Sequence, residues 1–297
     1  MGKHAYLIMA HNQPSLLMEL ISLLDHNDND IFIHIDKKSN ILTEDLYSAA
    51  DKSNIYFVEN NISVTWGSYS QIKAELLLLE MAFQTDDYIF YHLLTGSDLP
   101  IKPIDEINEF YSKNIGKLFI AYANPRLFPK NYEYRLKYRQ FFLDYVGKKR
   151  NIFFYLNKSA IKLQQIFCLN KIFEGEFCFG SAYWDIDKEL VEHILNNKTI
   201  IEKEFRYSFC CDEVFVHTIV WNNQRFRNRL YKNYLNNGLE GNLRWMDFTG
   251  STDGSPKSIT PKDIEQFIDS DLFFARKFDE NESNEAIDLV KSLIHNR

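Results

Sequence analysis

The sequence predicts an α/β fold with a mostly parallel central sheet and helices on both faces. In the first third of the chain, strand-like and helix-like segments alternate, and the strands are continuous apolar runs, as is typical of parallel strands covered on both sides. The chain has 297 residues, 45% of them hydrophobic and 15% aromatic, so it can bury a sizeable core. No internal repeat or linker interrupts it, and we therefore expect one domain over residues 1–297.

The predicted elements follow in chain order. Apolar runs predict strands over residues 5–9, 31–35, 54–58 and 88–94, and helical spacing predicts helices over 15–24, 71–83 and 187–197. An aromatic segment from residue 177 is predicted to be a buried strand broken at Gly180 and Ser181, and residues 243–247 to be a short strand. Asp212 and Glu213 are predicted to open another helix, because acids favour the positive end of a helix.

Polar residues stand where several predicted strands end. His11 follows the first strand, Asp36 follows the second, and Thr95 and Asp98 follow the strand over 88–94. Ligands of such sheets bind beyond the carboxyl ends of the strands. This placement predicts a ligand site at one edge of the sheet.

Composition narrows the class of protein. The net charge of -7 argues against a general nucleic-acid binder, which usually carries a basic excess. The sequence shows no transmembrane run and no signal peptide, so we expect a cytoplasmic location. The four cysteines have neither the spacing of a zinc site nor the density of a disulfide scaffold, and they are predicted to be buried free thiols.

Five short motifs lie in order along nearly the whole chain. They are HIDKKS at residues 34–39, WGSYS at 66–70, TGSDLPIK at 95–102, GSAYW at 180–184 followed by Asp212 and Glu213, and FARKFD at 274–279. In this order they resemble the core-2/I-branching β-1,6-N-acetylglucosaminyltransferases, a glycosyltransferase family that also contains xylosyltransferases.

The resemblance implies a GT-A-like fold, with a nucleotide-sugar donor half up to about residue 115 and an acceptor and catalytic half from 116 to 297. It implies an inverting enzyme that moves a sugar, most often N-acetylglucosamine in this family, from a UDP-sugar to a hydroxyl of an acceptor glycan. The product would carry a β-linkage. Vertebrate members have an N-terminal membrane anchor that this sequence lacks, so we expect a bacterial enzyme of surface polysaccharide assembly with a free or lipid-linked acceptor.

The resemblance also implies roles for individual residues. Glu213 would be the catalytic base, and Lys257 and Lys277 would hold the UDP diphosphate without a metal. The residues expected at the nucleotide-sugar are His11, Asp36, Trp66, Ser68, Ser70, Thr95, Asp98, Lys257 and Lys277. The residues expected at the acceptor are Arg135, Ser181, Tyr183, Asp212, Trp245 and Asp247.

Several of these residues have an ordinary structural alternative. Ser70 could cap the helix that follows it, and Asp98 could stabilise the turn in which it lies. Trp245 could fill the core, and Lys257 and Lys277 could be surface lysines. These alternatives stay open at the level of the sequence.

The residues 34–36, His-Ile-Asp, bear on the question of a metal. Many nucleotide-sugar transferases have two acids at this place, whereas here Asp36 stands alone and two lysines follow. A hard cation prefers a cluster of oxygen ligands, so the sequence predicts a metal-independent enzyme with no cofactor. The alternatives are a metal-dependent transferase that uses Asp36 and Asp98, and a non-catalytic glycan-binding component of a capsule-assembly complex.

Residues 126–150 form a basic segment in an acidic protein. Eight lysines and arginines stand against two acids, which gives a net charge of +6, and aromatic residues are interleaved. The segment is either a solvated helix face or a peripheral contact with the inner face of an anionic membrane, where each cation can add about 1 kcal/mol.

Overall fold

The computed structural model describes residues 2–127, 130–251 and 254–295. In these ranges the chain forms nine strands. They are β1 (Lys3–Ala10), β2 (Asn29–Ile35), β3 (Asn54–Phe57), β4 (Tyr88–Thr95), β5 (Asp98–Pro100), β6 (Phe119–Tyr122), β7 (Gly180–Ile186), β8 (Arg244–Met246) and β9 (Phe274–Arg276).

The helices alternate with the early strands and dominate the second half. They are α1 (Pro14–Leu24), α2 (Thr43–Leu46), α3 (Ser70–Thr85), α4 (Ile104–Lys113), α5 (Lys130–Tyr132), α6 (Leu143–Val146), α7 (Ile152–Ile166), α8 (Lys188–Asn196), α9 (Lys198–Phe205), α10 (Phe215–Asn222), α11 (Gln224–Arg227), α12 (Leu239–Asn242), α13 (Pro261–Ile264) and α14 (Asn284–His295). Among the described residues, no helix is long and apolar enough to cross a membrane.

Six strands form the central sheet in the order β3-β2-β1-β4-β7-β6. The first four strands are parallel to one another, and β7 runs antiparallel to β4 and β6. Along β1, Ala5 and Leu7 face one hydrophobic layer while Tyr6 and Ile8 face the other, because side chains alternate along a strand. Helices α3, α8 and α10 pack in the first layer, and α1, α4 and α14 pack in the second. The predicted α/β class with helices on both faces is confirmed.

A smaller sheet, in the order β5-β9-β8, lies beyond the end of β4. In it Asp98 on β5 pairs with Arg276 on β9. The chain therefore returns near its C-terminus to the edge at which β4 ends.

A buried ion pair joins the two sheets. Arg244 on β8 donates to both carboxylate oxygens of Asp185 on β7, at 2.6 and 2.9 Å. His92 on β4 and the Tyr111 hydroxyl also contact this carboxylate, at 2.9 and 2.6 Å. Burial alone would raise the pKa of Asp185, but Arg244 and His92 lower it to about 2.

The predicted strands and helices of the first half are confirmed to within about two residues. Three predictions were wrong in detail. The strand of the GSAYW motif begins at Gly180 and is not broken there. Asp212 and Glu213 lie in a 3-10 turn, Cys211–Glu213, before helix α10 rather than inside a helix start. The cysteines are free thiols as predicted, but Cys168 is exposed.

The basic segment over residues 126–150 is not one helix. It is divided among short pieces, which include α5, a π-helical turn (Glu133–Lys137) and α6. The alternative of a solvated helix face therefore does not describe the segment as a whole, and the membrane contact stays a prediction.

Candidate active site

The polar residues at the strand ends lie at one edge of the central sheet, as the sequence predicted. His11 follows β1, Asp36 follows β2, and Thr95 and Asp98 stand at the junction of β4 and β5. Burial lowers the pKa of His11, while the nearby charge of Asp36 opposes this shift and nearby cations reinforce it. Those cations include Arg276 and Lys277, so the C-terminal FARKFD motif reaches the same edge.

Asp36 is engaged by its own loop. Its carboxylate accepts the backbone N–H groups of Lys38 at 2.8 Å and Val64 at 3.0 Å, and the Lys38 ammonium lies 3.7 Å away. The residue is buried, and these contacts hold the loop after β2 against residues 62–64. Contact of Asp36 with a donor nucleotide stays a prediction.

Arg276 is a residue of this edge that the sequence analysis did not select. Its guanidinium donates to Asp98 at 2.8 Å and to the Thr95 hydroxyl. The other carboxylate oxygen of Asp98 accepts the backbone N–H of Thr95 at 2.5 Å. Asp98 therefore stabilises its turn and also anchors Arg276. The sequence did contain a signal for Arg276, because this residue precedes Lys277 in the FARKFD motif.

Tyr183 lies between this cluster and the acidic pair. The guanidinium of Arg276 stands 4.8 Å from the centre of the Tyr183 ring, a cation–π contact. Burial raises the pKa of Tyr183, and the charges of Arg276, Asp98, Asp212 and Glu213 all act on it. Ser181 lies two residues earlier, where its hydroxyl accepts the Tyr183 backbone N–H at 3.4 Å. The structure thus brings the predicted donor and acceptor residues together around one aromatic ring.

Gly180 has a steric reason to be glycine. A Cβ at this position would lie 1.7 Å from the carbonyl oxygen of Ala121 on the neighbouring strand β6. The glycine of the GSAYW motif therefore allows β6 and β7 to approach, and it places Ser181 and Tyr183 on an unbroken strand.

The WGSYS corner is ordered by its own serines. The hydroxyls of Ser68 and Ser70 lie 2.6 Å apart, and Ser70 accepts the backbone N–H of Thr65 at 2.8 Å. Ser70 is the first residue of α3 and not its cap. Trp66 stays exposed at the corner, with the Lys148 ammonium 5.4 Å from its ring centre.

Gln71 links this corner to the acidic pair. Its side-chain oxygen accepts the backbone N–H of Gly67 at 2.5 Å, and its amide donates to Asp212 at 2.7 Å. The backbone N–H of Cys210 also donates to the Gly67 carbonyl at 3.0 Å. Gln71 was missed from the sequence, because a glutamine in the first turn of a helix carries no signal of its own.

Glu213 is held by Arg135. The guanidinium donates to Glu213 Oε2 at 2.6 Å and to the Cys210 carbonyl at 2.8 Å. Cys210 adopts a left-handed conformation, with φ of 45°, and so starts the tight turn that carries Asp212 and Glu213. The Glu213 side chain is 36% exposed, and within the described part of the chain its Oε1 accepts no hydrogen bond. Glu213 thus offers a fixed carboxylate oxygen to a molecule at the surface.

Asp212 differs from its neighbour in burial. Burial, followed by the charge of Glu213, raises the pKa of Asp212 to about 7, although Arg135 acts in the opposite direction. Burial also raises the pKa of Glu75, which lies near Asp212 in the first hydrophobic layer. Asp212 therefore carries a proton more readily than an ordinary aspartate.

The two predicted diphosphate lysines have different surroundings. Lys257 lies 2.8 Å from Asp247 and 2.8 Å from Asp263, and is paired with both. No ion pair of Lys277 is found over residues 2–127, 130–251 and 254–295, and the side chain is half-buried. Lys277 is therefore the cation best placed to meet a free anion.

Trp245 lies in the core. It is 6% exposed, and its ring centre is 4.8 Å from that of Phe267. The structure favours the core alternative for this residue over stacking on an acceptor. Asp247, two residues later, is held by Lys257.

In the part of the chain that the structure describes, no group of three or more histidine, cysteine, aspartate or glutamate residues could hold a metal ion. The roles assigned to individual residues stay predictions.

The candidate site combines a cationic edge at the strand ends with a partly exposed carboxylate on an α/β fold. The profile of the Core-2/I-Branching enzyme family matches residues 4–268. The chain therefore belongs to this glycosyltransferase family, and the resemblance drawn from its motifs is confirmed. The α/β class that the resemblance implied agrees with the six-stranded sheet and its two helical layers.

Xylosyltransferases are among the proteins that this chain resembles. Xylosyltransferase sqv-6 of Caenorhabditis briggsae is 24% identical over 290 residues, which cover 86% of this chain and 32% of that protein. Xylosyltransferase 2 of Rattus norvegicus is 22% identical over 304 residues, which cover 96% of this chain and 33% of that protein. The chain thus spans about a third of the length of these relatives.

Among solved structures, similarity is partial. S. aureus TarS (residues 1–349) matches at a TM-score of 0.30 and 14% identity, over 41% of this chain and 36% of that chain. Mouse xyloside xylosyltransferase 1 matches at a TM-score of 0.27 and 13% identity, over 41% and 53%.

Proposed function

We propose that this chain is an inverting, metal-independent glycosyltransferase that moves a sugar from a UDP-sugar to a hydroxyl of an acceptor glycan and forms a β-linkage. One observation carries the proposal. The fixed, partly exposed Glu213 carboxylate and the Arg276 guanidinium both lie near Tyr183, and Lys277 follows Arg276 at the cationic edge. An attacking acceptor hydroxyl needs a carboxylate as its base, and a departing diphosphate needs cations beside it.

The proposed chemistry is divided between Glu213 and the cationic edge. Glu213 takes the proton of the attacking hydroxyl, and the oxygen then bonds to the anomeric carbon as the bond to UDP breaks. Arg135 keeps the carboxylate in place, and a positioned base contributes roughly 10²–10⁴-fold to the rate. Lys277 offsets the negative charge that grows on the diphosphate, with Arg276 and Lys257 contributing to the positive potential of this edge.

Metal independence rests on how the acids are used. The oxygens of Asp98 accept from Arg276 and Thr95, and those of Asp36 accept from the loop at Lys38 and Val64. A metal-dependent enzyme that used Asp36 and Asp98 would have to break these contacts. The metal-dependent alternative assumes the same fold, and chelation of the metal tests it.

The donor sugar is either N-acetylglucosamine or xylose. N-acetylglucosamine is the donor that the motifs implied, whereas the xylosyltransferases among the relatives favour a pentose. We propose UDP-N-acetylglucosamine and UDP-xylose as the first donors to assay. The proposed setting is surface polysaccharide assembly in the bacterial cytoplasm, with a free or lipid-linked acceptor and a membrane contact near residues 126–150.

The test is UDP release from a panel of UDP-sugars with candidate acceptor glycans, in the presence and absence of EDTA. Glu213→Gln should release no UDP above background. Glu202→Gln is the matched control, because Glu202 is exposed to a similar degree and pairs with Arg206 at 3.3 Å. Release that needs a divalent metal would favour the Asp36 and Asp98 alternative. Sugar-nucleotide binding without any transfer would favour the non-catalytic alternative.

A further inference from the structure

Helix α7 faces its apolar side outward. Its buried residues are polar, namely Asn157 and Gln164. The exposed apolar residues of the helix are Ile152, Tyr155, Leu156, Leu163 and Ile166. Their spacing of three, four and seven residues places them on one face, which a helix in a globular protein would normally bury.

The chain after α7 extends this apolar face. Phe167, Leu169 and Ile172 are 66%, 57% and 85% exposed. Together with the exposed face of α7 they form what we call the 152–172 surface. Contiguous exposed apolar residues of this kind mark a site of interaction.

Charge accompanies the apolar residues. From residue 145 to residue 173 the sequence has six lysines and arginines and no aspartate or glutamate. Lys158 and Lys162 are exposed on α7 beside its apolar face. The rest of the protein is acidic enough to give the chain a net charge of -7. The partner must therefore accept apolar side chains and attract cations.

We infer that the 152–172 surface docks on a lipid bilayer with anionic headgroups. An amphipathic helix with exposed isoleucine, leucine and tyrosine residues and flanking lysines lies in the bilayer interface, where its apolar face enters the acyl boundary. Anionic lipids attract the cations around it. A second copy of this chain would bring two lysine-bearing surfaces together, and the exposed Lys158 and Lys162 of each would repel those of the other.

The surface is mechanically tied to the candidate active site. Gln164 on α7 accepts the backbone N–H of Arg139 at 2.9 Å and donates to its carbonyl at 2.8 Å. Asn157 donates to Gln140, which in turn donates to the Tyr134 carbonyl at 2.7 Å. Arg135, the next residue, holds Glu213. Docking would hold the helix that anchors this segment at the bilayer, which suits a lipid-linked acceptor; this last step rests on the proposed function, whereas the docking itself does not.

The test is co-sedimentation of the full chain with phosphatidylcholine vesicles that contain or lack phosphatidylserine. The wild-type protein should sediment with the anionic vesicles at low salt and much less at high salt. Leu163→Ser with Ile166→Ser should weaken binding roughly tenfold or more, because both side chains lose their transfer into the acyl boundary. Lys158→Glu with Lys162→Glu should weaken it by at least roughly 25-fold, since each surface cation adds about fivefold.

Matched controls lie just after helix α4. Ile115 is 64% exposed and Lys117 is also exposed, so Ile115→Ser and Lys117→Glu make the same kinds of chemical change away from the surface. Binding by these controls should equal that of the wild type. Circular dichroism should show that all the variants fold.

Three outcomes would overturn the inference. The first is no sedimentation of the wild type with anionic vesicles at low salt. The second is equal binding by the α7 variants and the controls after α4. The third is a wild-type dimer in light scattering that Leu163→Ser with Ile166→Ser converts to a monomer. UDP release, measured in parallel, reports on the proposed function separately, because vesicle binding does not require catalysis.

Discussion

Two arginine–carboxylate pairs, one between the sheets and one at the candidate active site, have the same bond length in different surroundings. Arg244–Asp185 and Arg135–Glu213 both have a shortest N···O distance of 2.6 Å. The side chains of the first pair are 3% and 0% exposed, whereas those of the second are 13% and 36% exposed. The difference lies in what else contacts the carboxylate.

In the interior, the protein occupies both oxygens of Asp185 with donors from Arg244, His92 and Tyr111. A carboxylate filled in this way holds strands together and has no capacity for a further ligand. Glu213 is fixed through one oxygen, and the other is left to solvent or substrate. The comparison shows that the pair suited to chemistry is the one that the protein leaves incomplete.

The largest expected effect comes from breaking the surface pair. Glu213→Gln should lower transfer roughly 10²–10⁴-fold, because an amide cannot accept the proton of the attacking hydroxyl. UDP affinity should stay within a few-fold, and the free energy of unfolding should fall only modestly, because the glutamine oxygen can still accept a hydrogen bond from Arg135. Rate assays, UDP titration and urea unfolding measure the three quantities. Near-normal transfer would remove Glu213 from the role of base.

Breaking the buried pair should give the opposite pattern. Arg244→Met leaves the Asp185 charge without its main partner, and we expect the free energy of unfolding to fall by about 3–5 kcal/mol. Urea unfolding monitored by circular dichroism measures this loss. Combining Arg244→Met with Asp185→Asn should recover part of it, because both charges are then gone. A single variant as stable as the wild type would contradict the structural role of the pair.

Lys277→Ala tests the cationic edge that Lys277 shares with Arg276. The loss of a charge-assisted contact to the diphosphate should cost about 1.5–3 kcal/mol, which is roughly a 10- to 100-fold loss of UDP affinity and turnover. Lys262→Ala serves as the control lysine, because it lies on α13 outside the FARKFD motif. Unchanged UDP binding by Lys277→Ala would transfer the role to Arg276 or Lys257.

Asp212→Asn tests the raised pKa of Asp212 through the pH dependence of stability. The folded-state pKa of Asp212, about 7, lies above its unfolded value of about 3.9, so the folded chain binds more protons between these pH values. The stability that the Asp212 carboxyl contributes to the wild-type protein therefore falls as the pH rises from about 4 to about 7. Asparagine removes this dependence, so the variant should gain thermal stability relative to the wild type near pH 8 and not near pH 4. A constant difference between the two proteins would contradict the raised pKa.

Chelation should have the smallest effect. With Asp36 and Asp98 already engaged by backbone N–H groups and Arg276, transfer should survive excess EDTA unchanged. The measurement is UDP release before and after EDTA, with Mn²⁺ added back. Loss of activity on chelation and recovery with Mn²⁺ would overturn metal independence.

The sequence by itself determined the alternation of strands and helices, because continuous apolar runs and helical spacing are local patterns. It also determined the family, since the five motifs keep their order along the chain. It placed His11, Asp36 and Thr95 at one edge through the topology of parallel strands. Each of these inferences depends on residues close in sequence or on a general rule of α/β sheets.

Only the tertiary structure decided which distant residues meet. Arg276 reaches Thr95 and Asp98 because β9 pairs with β5, and no local pattern specifies the pairing of two three-residue strands. The burial that separates Asp212 from Glu213 is likewise set by packing against α3, although the two residues are adjacent. Helix α7 shows the same limit, because its periodicity gives an apolar face but not whether that face points to the core. Its few polar anchors, Asn157 and Gln164, turn that face to the outside.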